Sequence, residues 1–319
     1  MYIVRGIPQQ ADQPLVLTIG NFDGVHRGHQ ALLKQLTDKA TALGLPAAVL
    51  TFEPHPREYF APLNAPPRLS SLREKLQGLA LQGVNRVYLC RFDHAFATIS
   101  AEDFIQRVLV RGLAVRHLYI GDDFCFGAGR RGNLEMLQAA GAQAGFVTES
   151  METVLTDGQR ISSSSVRTAL ADGRLNDACT LLGRPYSISG RVIRGDQIGR
   201  QLGYPTANIQ MKKRRPPLRG VFAVVVEGLA PHSIKGVVNA GVRPTIDGKG
   251  QPRVEVHLFD WAQNCYGMHL RVHFLHKLRD ERKFDSLDAL KAQIRLDTEM
   301  AHRWLDDHPD AVIPAQLSR

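Results

Sequence analysis

Cysteine is scarce in this chain of 319 residues. Cys90, Cys125, Cys179 and Cys265 stand apart from one another with no CxxC pair. That spacing suits free thiols in a reducing compartment better than a disulfide framework or a zinc site. Long apolar runs are also missing: none approaches the ~18 residues of a membrane span. Residues 1–10 lack an apolar segment of signal-peptide type. The cytoplasm is the expected compartment, with no membrane partner. There is no internal repeat and no low-complexity tract, which excludes a solenoid and a disordered-tail protein. Aromatics are absent from the one dense basic run, Lys212, Lys213, Arg214 and Arg215. The run therefore lacks the stacking surface of a single-strand binder and reads as a solvated loop. No nucleic-acid partner is expected.

What is present is ordinary for a globular protein: 44% hydrophobic and 22% charged residues, with a formal charge of +9. A positive balance suits nucleic acid, an acidic surface or small polyphosphates. The length allows two domains of roughly 100 to 200 residues each. The oligomeric state is not legible.

From residue 15 to about 150 strands and helices alternate. Strands are expected at 47–52, 86–90, 117–120 and 145–148. Ser71-Leu72-Arg73-Glu74 reads as a capping box, and Ser100 as the cap of a helix carrying Phe104, Val108 and Leu109. Residues 133–144 read as a further helix. This alternation predicts an α/β domain, a doubly wound parallel sheet with helices on both faces. Residues 162–182 are helical, interrupted at Asp172-Gly173 and stopped by Gly183 and Pro185. Beyond them, strands at 188–193, 221–226, 235–239, 254–259 and 268–275 follow with no helices between. They predict an antiparallel barrel or sandwich with one terminal helix at about 286–305. The boundary is placed near Pro185, giving domains 1–185 and 186–319.

One stretch organises the first domain. Leu15, Val16, Leu17 and Ile19 form a buried strand, residues 20–28 a glycine-rich turn, and Leu32, Leu33, Leu36 and Ala40 the apolar face of a helix ended by Gly44. A strand that turns through glycines into a helix aims backbone N–H groups and the helix dipole at one spot, which suits phosphate. His26 and His29 have the spacing to face that spot. The alternative is a structural pair of histidines, or a metal pair completed by His55 and Asp23. The sequence Gly20-Asn21-Phe22-Asp23-Gly24-Val25-His26-Arg27-Gly28-His29 resembles the nucleotidyltransferase HxGH signature, whose histidines contact ATP phosphates. FEPHP at 52–56, GDDFCFG at 121–127 and ISSSSVR at 161–167 each lie where such a sheet gathers a ligand. Gly127-Ala128-Gly129-Arg130-Arg131-Gly132 matches GxGxxG, and its outer glycines also space like a Walker A loop. Asn133 stands where Walker A needs lysine, and residues 121–126 separate the glycines from their strand. A loop whose arginines approach phosphate is expected instead.

In the second domain, Gly195, Gly199, Arg200 and Gly203 lead into Tyr204-Pro205-Thr206-Ala207-Asn208. Such a loop brings backbone close to phosphates. Thr206 and Asn208 alternate, so in an extended segment both point one way, and their oxygens suit Mg²⁺. A hydrogen-bonded Pro-Thr turn explains them equally well. In VEVHLFD, residues 254–260, period two puts Val254, Val256 and Leu258 on one face and Glu255, His257 and Phe259 on the other. Glu255 is then a salt-bridged surface residue or a general base.

GNFDGVHRGH, GDDFCFG, ISSSSVR, GRQLGYPTAN, NAGVRPT at 239–245, VEVHLFD and LRDERKF at 278–284 together resemble the bifunctional prokaryotic riboflavin kinase/FMN adenylyltransferase family, the FAD synthetases. The likeness runs over nearly the whole chain. It implies that Thr206 and Asn208 hold Mg²⁺ with ATP, and that Glu255 deprotonates the ribityl 5'-hydroxyl of riboflavin. It implies adenylylation of FMN in the first domain, with release of pyrophosphate. There His26 and His29 are expected to be catalytic, and Asn21, Asp23, His55, Asp123, Ser164 and Arg167 to bind nucleotide and flavin phosphate. Gly195, Gly199, Arg200 and Gly203 are the matching positions of the second domain. The implied partners are riboflavin, FMN, FAD and ATP. Two positions depart from the family. Asp123 stands where some relatives carry Asn, and its charge opposes direct contact with an anionic substrate. Cys265 replaces a usual Leu before Tyr266-Gly267, a packing change. Two other functions fit the composition: a nucleotidyltransferase with another acceptor and a flavin-binding barrel, or a basic nucleic-acid-binding protein with strongly salt-dependent binding.

Overall fold

The strand Leu15–Ile19 has no polar alternation and is buried along its whole length, as a strand covered on both faces must be. In a computed structural model, which describes all residues except 152–153, 157, 212–214, 244–250 and 312–319, it lies near the middle of a six-stranded parallel sheet. The strands are β1 (Tyr2–Arg5), β2 (Leu15–Ile19), β3 (Ala47–Glu53), β4 (Arg86–Arg91), β5 (Val115–Gly121) and β6 (Val147–Met151). Their spatial order is β1-β4-β3-β2-β5-β6. Leu15, Leu17 and Ile19 pack on one face with Phe104, Val108 and Leu109. Val16 packs on the other with Leu32, Leu33 and Leu36 of the helix Arg27–Leu43. The doubly wound architecture read from the sequence is therefore the one observed. The chain moves outward from β2 through β3 and β4, then returns to β5 on the other side of β2. That reversal opens a crevice at the carboxyl ends of β2 and β5, the usual ligand position in such sheets.

The chain divides into two compact units. The first comprises Met1–Pro66 and Leu72–Ser162, and the second Pro67–Ser71 and Ser163–Arg319. A short hairpin of β7 (Leu155–Thr156) and β8 (Gln159–Arg160) ends the first unit. It is too short to show periodicity in the sequence. The segment Phe104–Gly112 is helical as expected, but wound wider, with i→i+5 bonding.

The second unit is built on a closed barrel of β9 (Ser187–Ile193), β10 (Thr206–Ile209), β11 (Gly220–Glu227), β12 (Ile234–Arg243), β13 (Gln251–Leu258) and β14 (His269–Arg279). The order is β10-β13-β12-β11-β14-β9, closed by β9 pairing with β10. All neighbours are antiparallel. Closure removes the exposed edges that an open sheet of this kind presents. Phe222, Val224, Val238, Val256, Val272 and Phe274 fill one core. Leu170 of the helix Ser163–Ala171 and Leu182 of the helix Leu175–Leu182 join it. The outward-facing Val221, Ala223, Val225 and Val237 are covered by Ala301 and Leu305 of the terminal helix Leu287–Asp307. Ser286 caps that helix by accepting from the Ala289 N–H at 3.1 Å. Lys212, Lys213 and Arg214 of the basic run lie outside the described residues, as do Pro244 and Thr245.

Candidate functional sites

After β2 the chain turns through Phe22 (φ 49°), Gly24 (φ 83°) and Val25 (φ 42°). Positive φ is strained for a β-branched residue such as Val25, and strain of this kind concentrates at functional loops. The turn is held by burial: Phe22, Asp23 and Val25 are all almost inaccessible. His26 is the N-cap of the helix Arg27–Leu43 rather than a member of its first turn. Its Nδ1 accepts from the His29 backbone N–H at 3.3 Å, which puts the ring proton on Nε2. The two imidazoles stack, with centroids 3.6 Å apart. Burial, together with the positive potential of His26 and Lys75, holds His29 well below its ordinary value. Lys75, on the helix Leu72–Leu81, is buried and donates to Thr51 Oγ1 at 3.4 Å. Thr51 in turn donates to the Asn21 carbonyl at 3.4 Å. Gly28 approaches the Ile161 carbonyl, which a β-carbon would meet at 3.3 Å. The start of ISSSSVR thus lies against the HxGH turn.

His55 follows β3 and caps the short helix Pro56–Phe60. Its Nδ1 accepts from the Arg57 N–H at 3.0 Å, and its own N–H donates to Glu58 at 3.2 Å. Asp123 is exposed and paired with Arg160 at 3.3 Å, and Asp122 meets the same guanidinium at 3.2 Å. The charge of Asp123 is therefore offset by a cation from β8 that the sequence pattern did not single out. The GxGxxG segment is a tight loop closed by paired hydrogen bonds between Phe126 and Gly132. A β-carbon on Gly132 would meet the Phe126 ring at 2.5 Å, and one on Gly127 the Ala101 N at 2.7 Å. Its glycines serve packing, while Arg130 and Arg131 are exposed. Beyond the carboxyl end of β4, Phe92 has its ring 5.5–5.8 Å from those of Phe52, Tyr59, Phe60 and Phe96. Phe60 is 67% exposed, so this aromatic group opens to solvent. Ser164 and Arg167 lie on the helix Ser163–Ala171 in the second unit, where Arg167 Nε donates to the Pro67 carbonyl at 2.7 Å.

In the barrel, Ala207 and Ile209 point into the core, which turns Thr206 and Asn208 outward together. Thr206 is directly opposite His257, and Asn208 opposite Glu255. Glu255 is also opposite Asn239 of β12, which is opposite Val221 of β11, itself opposite Arg279 of β14. One row therefore runs Asn208, Glu255, Asn239, Val221, Arg279 across the outer face. The glycine loop folds over its first members. A β-carbon on Gly195 would lie 2.6 Å from the Asn208 amide. One on Gly199 would strike the Tyr204 carbonyl and come 3.4 Å from Thr206 Oγ1. Gly203 has φ 89°, and Arg200 is exposed. Glu255 is ion-paired with Arg253, and His257 Nδ1 is 2.9 Å from the Pro205 carbonyl. Arg279 is held by both oxygens of buried Asp297, at 2.8 and 2.7 Å. Burial pushes the Glu281 carboxyl up, against the pull of Arg219, Arg253 and Arg279. Cys265 packs against the barrel core, which raises its thiol.

Among the described residues, no group of three His, Cys, Asp or Glu side chains could hold a metal ion. The hydroxyl of Thr206 and the amide of Asn208 are hard oxygen donors on one face, and fit a Mg²⁺ that keeps most of its waters. Among the described residues no helix is long and apolar enough to cross a membrane.

The chain matches the FAD synthetase family over residues 8–165 and the riboflavin kinase family over residues 182–305. A bifunctional riboflavin kinase/FMN adenylyltransferase of Escherichia coli (strain K12) is 50% identical over 307 residues, covering 95% of this chain and 98% of that protein. The chain belongs to the bifunctional riboflavin kinase/FMN adenylyltransferase family. The Haemophilus influenzae member is 49% identical, over 96% of this chain and 100% of its own. A solved structure of a macrolide-efflux protein from Streptococcus pneumoniae is similar with a TM-score of 0.80 and 29% identity, covering 95% of this chain and 100% of that one. For this family member, sequence reasoning missed Lys75, Arg160, Arg253 and the aromatic group around Phe92.

Proposed function

We propose that the chain phosphorylates riboflavin to FMN on its barrel, within residues 186–319, and adenylylates FMN to FAD within residues 1–185. The observation that carries this reading is the side-by-side placement of Asn208 and Glu255 on paired strands, under a loop whose glycines touch Thr206 and Asn208. Family membership supports both activities.

On the barrel, Glu255 takes the proton of the riboflavin 5'-hydroxyl. The hydroxyl oxygen attacks the γ-phosphorus of ATP, the bond to the β–γ bridging oxygen breaks, and ADP leaves. Gly195, Gly199, Arg200 and Gly203 bring backbone and a guanidinium to the phosphates. Thr206 and Asn208 would hold Mg²⁺, which neutralises phosphate charge when bound.

In the first unit, an FMN phosphate oxygen attacks the α-phosphorus of a second ATP and pyrophosphate departs. His26 donates from Nε2. His29, kept neutral by burial, hydrogen-bonds rather than adding net charge. Asn21 and Asp23 shape the turn, and His55 and Asp123 are the proposed phosphate-handling and flavin-handling positions of this unit. Asp123 acts with Arg160, whose guanidinium offsets its charge. The aromatic group around Phe92 offers the isoalloxazine a stacking surface. The proposed partners are riboflavin, FMN, FAD and ATP with Mg²⁺, in the cytoplasm.

The deciding experiment supplies ATP, Mg²⁺ and riboflavin and separates the flavins by chromatography. FMN followed by FAD is expected. Formation of neither product overturns the reading, and formation of an adenylylated product from another acceptor replaces it.

A further inference from the structure

Glu255 has an asparagine directly across from it on each side: Asn208 on β10 and Asn239 on β12. Residues directly opposite on neighbouring strands project to the same face. The two asparagines differ in what they touch. Asn208 lies under Gly195 on the side of the glycine loop. Asn239 lies on the other side of Glu255, and its Oδ1 is buried with no hydrogen-bond partner among the described residues.

The neighbouring polar groups are engaged except for Arg253 Nε, which is also buried without a partner among the described residues. Arg253 is paired with Glu255, and His257 with the Pro205 carbonyl. Farther along β12, the space above Gly241 is filled by the Glu281 carboxylate. On the far side Val221 is packed beneath the terminal helix. A buried amide oxygen without a partner is costly, and native chains leave few of them. Asn239 is therefore set to accept a hydrogen bond from a group that none of the described residues supplies.

We infer that Asn239 is an acceptor-binding residue, taking a hydrogen bond from the hydroxyl next to the one that Glu255 deprotonates. This rests on the assignment of Glu255 as the base for riboflavin. The phosphoryl donor occupies the side of Thr206 and Asn208, so the polyol reaches Glu255 from the side of Asn239. One strand spacing, about 4.8 Å, separates the two backbones. Their side chains can then each bind one of two hydroxyls on adjacent carbons. Asn239 thereby selects acceptors with a hydroxyl at the 4' position and sets the register of the chain, so that the 5' oxygen meets the phosphorus.

The test measures kinase kinetics of the full chain with riboflavin and with 4'-deoxyriboflavin. The unmodified protein is expected to prefer riboflavin about tenfold to hundredfold in kcat/KM. In Asn239→Ala the preference collapses to near unity, with the loss on riboflavin carried mainly by KM. Asn239→Ser, which keeps a short hydroxyl, recovers part of it. The fluorescence of Trp261 and Trp304, both in the barrel unit, reports whether each variant is folded, and if the alanine variant is not, the serine variant and the two acceptors decide. Persistence of the preference in the variants overturns the inference, as does its absence in the unmodified protein. A rise in the Mg²⁺ requirement with the preference intact assigns Asn239 to the metal and also overturns it. Glu255→Gln separates the two levels: if that variant still phosphorylates riboflavin, the assignment of the base has failed, whatever Asn239 does.

Discussion

Gly195 lies against Asn208 so closely that a β-carbon at Gly195 would come within 2.6 Å of the amide carbon and nitrogen. The glycine is required there by contact, not by its dihedral angles. Gly195→Ala must displace either the loop or Asn208. Misplacement of about 1 Å in a phosphoryl-transfer site costs about 10²-fold in rate. Riboflavin phosphorylation is expected to fall by about that factor, with FAD formation from supplied FMN unchanged. Chromatography of the two flavin products checks both.

His26 is both a helix cap and a proposed phosphate donor, and one substitution separates the roles. Asparagine is among the best N-caps, so His26→Asn keeps the helix start and removes the imidazole. Thermal stability should change little. Adenylylation should fall by about 10² to 10³-fold, the usual effect of losing one charge-stabilising donor. A variant that adenylylates FMN normally shows that His26 is structural.

Much of this arrangement was legible because periodicity survives in long elements. Period two over 254–259 separated Val256 from Glu255, and the structure places the first in the core and the second outside. The apolar spacing of Leu32, Leu33, Leu36 and Ala40 likewise marked the buried face of the first helix. Register between distant strands leaves no such trace. Nothing local to Asn239 says that β12 pairs with β13, so its position beside Glu255 was invisible. Lys75 looked like any charged residue of an amphipathic helix until the fold buried it. The spacing of His26 and His29 alone suggests neighbours in a helical turn. They do meet, but through a cap whose ring folds back on the helix N–H.

Buried histidines make stability depend on pH. Burial holds His273 below its ordinary value, with Glu227 3.2 Å away opposing the shift. Unfolded histidine takes up a proton near pH 6.5; the folded protein takes it up only at lower pH. Between those values the unfolded state binds more protons, so stability falls as pH drops below about 6.5. Each such histidine contributes about 1.4 kcal/mol per pH unit across its interval. Both tryptophans, Trp261 and Trp304, belong to the barrel unit. Urea unfolding followed by their fluorescence at pH 7 and below 6.5 should show the decline, and His273→Asn should make it shallower.

Asp297 is almost fully buried and accepts from Arg279 at both oxygens and from Gln293 at 2.7 Å. Removing one partner of a buried pair strands the other charge, at a cost of about 3–5 kcal/mol. Asp297→Ala is expected to lower barrel stability by about that amount in the same fluorescence experiment. Because Arg279 closes the row that contains Glu255, kinase activity should also decline at temperatures where the barrel remains folded.

In β13 the residues that hold the barrel and those proposed to act on substrate alternate one by one. Val254, Val256 and Leu258 can exchange among aliphatic side chains over evolutionary time without touching Glu255 or His257. Loss or gain of a single residue within Gln251–Leu258 is another matter, because it would turn every following side chain to the opposite face. Divergence along this strand is thus confined to substitution, while changes in length must fall in the turns on either side.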